Sequence, residues 1–404
     1  WIVNAYQLAL ITTLLIFSNL GDILGYRRIY ISGLVLFTVA SAGCALSTTF
    51  ASLIAWRAVQ GIGAAAITSV NTTLIRIIYP RRMLARGMGI NATVVAVSSV
   101  AGPSVAAAIL SVTTWHWLFA VNLPIGLIAF ILSSRFLPQN PVKVEGRRFD
   151  WRSGVMCALT FGLVMACVEG YSHGMALHVW FVLAAVVAWR FVTDQLRKPM
   201  PILPFDLLRI PIFSLSIVTS ICSFTAQMLA MVSLPFILQH SMGYDAVSTG
   251  LIFTAWPMVI MVVAPLAGVL AERIHAGYLG LTGLLIMTFG LVMLGLLPSS
   301  PTDFDIIWRL VLCGMGFGLF QSPNNSIMIA SAPQHRSGSA SGMLATARLT
   351  GQTMGAALVA FFFHWHGGET TMTPLFVAAA FAFFGAMLSA SRIHLPLPEG
   401  LRRK

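Results

Sequence analysis

The sequence predicts an all-α polytopic membrane protein, and three observations carry that expectation. Hydrophobic residues make up 57% of the 404 and charged residues only 9%, against roughly 25% charged in soluble domains. A soluble globule of this composition would expose large apolar patches. The apolar residues also fall in runs of about twenty, the length a helix needs to cross roughly 30 Å of hydrocarbon. Helices are required there because hydrocarbon offers no partner for exposed backbone groups. Finally, 18 of the 24 Lys and Arg lie in short segments that would share one side of the membrane, from Arg27 and Arg28 through Arg81, Arg82 and Arg86 to Lys404. The alternate loops, such as Ser111 to Trp115 and His240 to Val247, hold none. That alternation places the basic loops in the cytoplasm, and it accounts for the net charge of +12 without nucleic acid.

Thirteen spans follow in order, at about 1–20, 30–48, 53–79, 84–110, 116–137, 153–171, 176–194, 211–238, 248–271, 277–297, 306–331, 338–363 and 374–392. The longest polar stretches are Pro138 to Arg152 and Asp194 to Ile210, both basic. The odd count and the opening Trp1 lead us to expect that one further helix precedes this sequence. All five cysteines (Cys44, Cys157, Cys167, Cys222 and Cys313) sit in apolar runs and read as small packing residues.

Several residues break the apolar pattern. Asp22 ends the first span, with Gly25, Arg27 and Arg28 a turn beyond; Glu272 ends the ninth in the same way, ahead of a Gly-containing turn. Two such halves are a mark of transporters that rock about a central site. A carboxylate there can pair with the arginines or with the N-terminus of a neighbouring helix, or it can be an ordinary cap. Arg57 lies inside a span, at a cost of about 2.5–3.5 kcal/mol on insertion scales, and must face the bundle. Gln60 and Gly61 share its face. Gly102 and Pro103 fall mid-helix, where proline removes a backbone donor, while Ser98, Gly102 and Ala106 form a small-residue seam. Glu169 lies near the outward end of its span, as a proton site or as an interfacial residue. Arg348 sits close to mid-bilayer and should face a cavity or a partner. Asn4, Gln227, Gln321 and Asn325 would give a greasy pocket sparse hydrogen bonds. His364 and His366 are too weak a pattern for a metal site, and none is expected.

Taken in order, these residues resemble the major facilitator superfamily. Asp22, Gly25, Arg27 and Arg28 look like its loop motif; Leu53, Arg57, Gln60, Gly61 and Gly63 like its fourth-helix motif; Ser98, Gly102, Pro103, Ala106 and Ala107 like its antiporter motif. Trp115, Trp117, Phe119, Asn122, Pro124 and Gly126 resemble the sixth-helix entry of the fourteen-span drug:proton antiporter branch. There are departures: Ser18 stands where the loop motif opens with Gly, and Ser98, Ala106 and Ala107 where the antiporter motif carries Gly.

The resemblance implies two six-helix bundles with an inserted pair. Residues 1–138 would form the N-terminal bundle, 139–210 the inserted pair with its linkers, and 211–404 the C-terminal bundle. It implies gating by Asp22, Gly25, Arg27, Arg28 and Glu272, and coupling or transport by Arg57, Gln60, Glu169 and Arg348. The function implied is proton-driven export of small lipophilic or cationic compounds by a monomer in a bacterial inner membrane, C-terminus inside, with the proton as coupling ion and no cofactor. A carrier of metabolites or organic anions, and a sensor that does not transport, stay open. No nucleotide loop, nucleophile–base set or HExxH-type site points to an enzyme.

Overall fold

A computed structural model describes residues 2–139, 149–170, 177–198, 201–298, 300–365 and 371–395, with the side chains of residue 103 and of residues 164–181 outside the description. Its long helices are α1 (Ile2–Leu24), α2 (Tyr26–Ala45), α3 (Phe50–Ile78), α4 (Leu84–Val112), α5 (Trp117–Phe136), α6 (Trp151–Gly170) and α7 (Leu177–Leu196). They continue as α8 (Pro211–Phe236), α9 (Ala246–Leu270), α10 (Ala276–Gly295), α11 (Asp303–Ser331), α12 (Ser337–Trp365) and α13 (Thr373–Ser391). A helix therefore lies on each of the thirteen expected stretches. Among the described residues nine of them, α1 to α5, α8 to α10 and α13, are long and apolar enough to cross a membrane.

Local chemistry sets the helix ends. Gly25 alone joins α1 to α2, at a φ of 105° that side chains rarely adopt. The Asp245 carboxylate accepts from the Val247 and Ser248 amides, 3.0 and 3.1 Å, and so caps α9. His275 Nδ1 accepts from the Gly277 amide at 2.9 Å and caps α10. Pro211 opens α8, at a position where its missing N–H has no intrahelical partner to lose.

The chain groups into two compact units. The first comprises Trp1–Ile78, Ser104–Arg209 and Ala332–Thr346; the second comprises Tyr79–Pro103, Ile210–Ser331 and Ala347–Lys404. Helices α4 and α12 are thus each divided between units.

Within the first unit α2 crosses α3 on bare backbone. A methyl group on Gly33 would sit 2.6 Å from Ala66 Cβ, and one on Gly63 2.6 Å from the Phe37 nitrogen. Such approaches supply packing where lipid gives no hydrophobic drive. Helices α6 and α7 are clamped at one end by Lys198, whose Nζ lies 2.5 Å from Asp150 and 2.6 Å from Asp194. Burial works to raise the Asp150 carboxyl, but hydrogen bonds from Lys198 and Ser153 outweigh it and hold it at about 2.

The second unit has its own core around Trp256, Phe317 and Phe320, all buried, with Phe224 edge-on to Phe317 at 5.3 Å. At its tightest crossing Gly283 of α10 faces Gly316 of α11. A methyl on either would lie 2.6 or 2.4 Å from the other's carbonyl oxygen.

Candidate functional site

The first unit buries one carboxylate under a helix terminus. Asp22, near the C-terminal end of α1, is 2% exposed. Its Oδ1 accepts from the Gly338 amide at 2.8 Å and from the Tyr26 hydroxyl at 2.8 Å. Its Oδ2 accepts from the Ser339 amide at 3.1 Å and the Ser339 hydroxyl at 2.7 Å. Each oxygen thus meets one backbone N–H and one hydroxyl. The donors include the first free N–H groups of α12, which a helix leaves without intrahelical partners and where its dipole favours a negative charge. Ser18, one turn earlier on α1, donates to the Gly338 carbonyl at 2.9 Å.

Helix α3 completes the cradle. Thr73 donates to the Ser337 carbonyl at 2.7 Å, and Thr72 bonds Ser341. Arg76 reaches the Ser337 hydroxyl and the Ala332 carbonyl, both at 2.8 Å. The segment 332–346 is held by α1 and α3 together.

A second cluster lies at the other end of α1. Arg57 Nε donates to the Ile2 carbonyl at 3.0 Å and Nη1 to Gln60 Oε1 at 2.5 Å. Gln60 is buried and passes a bond on to Ser41 at 2.7 Å. The guanidinium lies 4.4 Å from the Tyr6 ring centroid and 5.7 Å from that of Phe119, a cation–π arrangement. Among the described residues no carboxylate pairs with it. Beside it Ile2, Phe50, Leu53, Trp115 and Phe119, with Ser47 to Thr49, line a cavity of about 490 Å³. Gly61 lets α1 and α3 close over this cluster: a methyl there would sit 2.3 Å from the Tyr6 carbonyl oxygen. Gly61→Ala is expected to cost about 1–3 kcal/mol and to detach Arg57 from Ile2, seen as a lower melting temperature in detergent.

The Major Facilitator Superfamily sequence profile matches residues 1–356. The chain belongs to this family. It is a multi-pass membrane transporter with the major facilitator fold. It is 56% identical to the uncharacterised transporter YebQ of Escherichia coli K12, over 98% of this chain and 87% of that protein. Riboflavin transporter RibZ of Clostridioides difficile is 28% identical over 90% of this chain and 79% of its own. Multidrug resistance protein Stp of Mycobacterium tuberculosis is 30% identical over 89% of this chain and 67% of its own.

Other residues of the expected facilitator motifs are placed as follows. Arg27 donates to the Ser134 carbonyl of α5, while Arg28 is exposed. Glu272 is exposed as well, so the two carboxylates of the repeat differ in surroundings. In α4, Ser98 bonds its own helix at the Val94 carbonyl, 2.8 Å; a methyl on Gly102 would meet nothing within 4 Å; Ala106 is half-buried. The Pro103 and Glu169 side chains lie outside the described residues. Arg348 is half-buried in α12. Asn4, Gln227, Gln321 and Asn325 are all half-buried. The described residues contain no group of three or more His, Cys, Asp or Glu side chains able to hold a metal.

Arg336 and Arg392 are two of the 18 Lys and Arg whose sequence positions place them in one-sided loops, yet both are 1% exposed. Arg336 is paired to Asp206, Nε to Oδ2 at 3.0 Å and Nη2 to Oδ1 at 2.7 Å. Arg392 donates to Ser216 and Ser389, both at 2.8 Å, and to Asn324 at 2.5 Å. Helices α4 and α9 also cross closely: a methyl on Gly89 of α4 would lie 2.6 Å from the Ala264 carbonyl oxygen, and one on Gly268 of α9 2.6 Å from that of Ala85. The atoms met on each side are backbone atoms of Ala264 and Pro265 or of Ala85 and Arg86, so only the two glycines themselves were visible in sequence.

Proposed function

We propose that this protein is a proton-coupled secondary transporter exporting small lipophilic or cationic compounds by alternating access. It would work as a monomer in a bacterial inner membrane, with its basic loops and C-terminus cytoplasmic. The observation that carries the reading is the Asp22 carboxylate seated on the α12 N-terminus. It joins two helices 316 residues apart by bonds that a change of state can break and remake. On this reading Asp22, Gly25, Arg27, Arg28 and Glu272 belong to the cytoplasmic gate. The small residues Ser98, Gly102 and Ala106, with Pro103, let α4 bend. Asn4, Gln227, Gln321 and Asn325 offer hydrogen bonds to a mostly apolar substrate. The divisions 1–138, 139–210 and 211–404 would be the two bundles and the inserted pair.

Arg57 and Gln60, with Glu169 and Arg348, form the coupling set. Arg57 is satisfied by a carbonyl, an amide and two aromatic faces, so its charge is left to act on an acidic group or a proton-bearing substrate. One proton crossing is worth roughly 2.3 kcal/mol per 100 mV, enough to drive accumulation.

The multidrug name of Stp supports the substrate class. The riboflavin name of RibZ favours a second reading, a metabolite carrier of the same fold. Proteoliposomes with an inward-directed proton gradient test the two. Ethidium efflux that collapses with the gradient, and falls at least about tenfold in Arg57→Ala, is the expected result. Flux of riboflavin without flux of ethidium would replace the first reading with the second.

A further inference from the structure

Asp22 has no capacity left for a cation. Four donors occupy its two oxygens, so the nearby Arg336 must be satisfied elsewhere. Its partner is Asp206, on the short helix Phe205–Leu208 that follows α7 and its linker. The contact is two-pronged, 3.0 and 2.7 Å, and Nη2 also reaches the Pro201 carbonyl at 3.2 Å. Paired forks of this kind fix orientation as well as distance. A guanidinium buried to this degree depends on its carboxylate, because an uncompensated buried charge is strongly unfavourable.

Arg336 stands immediately before Ser337, the first residue of α12. Its backbone is fixed too, its amide donating to the Pro333 carbonyl at 3.0 Å. Only Ser337 separates it from Gly338, and Ser339 follows; these two supply the amides to Asp22. Wherever the Arg336 side chain is drawn, those amides follow.

The linker that carries Asp206 is anchored in turn. The Ile202 amide donates to Gln195 Oε1 at 2.7 Å, Gln195 Nε2 donates to Ser153 at 2.7 Å, and Lys198 bridges Asp150 and Asp194. An unbroken set of polar contacts therefore runs from the α6–α7 pair to the start of α12, all within the first compact unit.

We infer that Asp206 is a positioning residue of the gate: through Arg336 it holds the α12 terminus in register with Asp22. The α6–α7 pair is thereby a working part of the gate, tied to it by the 201–209 linker. This rests on the reading of Asp22 as a gate carboxylate, and the test separates the two.

Ser341, buried beneath Thr72, is replaced by cysteine, and its labelling by a membrane-permeant maleimide is timed in proteoliposomes. In this background Asp206→Asn is expected to speed labelling about tenfold, while Asp206→Glu, which keeps the carboxylate, stays within about threefold of the parent. Asp22→Asn is expected to speed it as well. Rapid labelling in Asp22→Asn with the parent rate in Asp206→Asn would overturn the inference and leave the gate standing. The parent rate in Asp22→Asn would overturn the gate reading, and the inference with it. Should Asp206→Asn elute as an aggregate, Arg336→Lys takes its place. It keeps the charge but loses the fork, and a rate within about twofold of the parent would overturn the inference.

Discussion

Asp22→Asn is expected to abolish gradient-driven transport while the protein still folds and elutes as a single species. An amide at this position keeps one acceptor oxygen and turns an NH2 group toward donors. One of the pairs around Asp22, Gly338 N–H with Tyr26 O–H or Ser339 N–H with Ser339 O–H, would then face a donor. The favourable placement of a negative charge at the α12 terminus is lost as well. Together these weaken the docked arrangement by about 2–4 kcal/mol, enough to reverse a balance between two states that differ by a few kcal/mol. The measurement is ethidium efflux under an imposed proton gradient beside size-exclusion elution. Retained coupled efflux at more than about half the parent rate would remove Asp22 from the gate.

The second large effect concerns folding. Gly316→Val would bring a branched side chain against the Gly283 carbonyl and the Met287 nitrogen, 2.4 and 2.5 Å from where its Cβ must lie. Both obstacles are backbone atoms, so no rotamer change relieves the clash. Helices α10 and α11 would have to separate, opening the core beside Phe317 and Phe320. A cost of about 3 kcal/mol or more is expected, read as a melting temperature in detergent well below the parent or as loss of the monodisperse peak. Gly162→Ala is the control: its added methyl would meet only Thr12, at an ordinary 3.5 Å, and it should leave the melting temperature unchanged.

The fold was legible because hydropathy and charge alternation are properties of segments, and segments are what a bilayer selects. The Asp22 cluster was half legible. A carboxylate ending a span is visible in sequence; its partner is not, because Gly338 and Ser339 contribute backbone amides, which every residue has, and lie 316 residues away. Arg336 and Arg392 show the limit of counting charges. Counting assigns a side of the membrane and says nothing of depth, and these two arginines belong to loops by position yet are buried by packing. Arg57 went the other way: its cost in a span required partners, and the first of them, Gln60, could be read from helical spacing alone.

The joint between α1 and α2 is a single residue, Gly25, and so contains no slack. Its amide still bonds back to the Gly21 carbonyl at 3.0 Å, and its own carbonyl accepts from Ile29 at 3.2 Å. The two helices therefore form a bell-crank: turning one arm turns the other. Arg27 ties one arm to the Ser134 carbonyl at the end of α5, and Asp22 sits on the other, three residues from the pivot. A displacement at the end of α5 is expected to reach the carboxylate through this one-residue joint, where a longer, looser connection would absorb more of it.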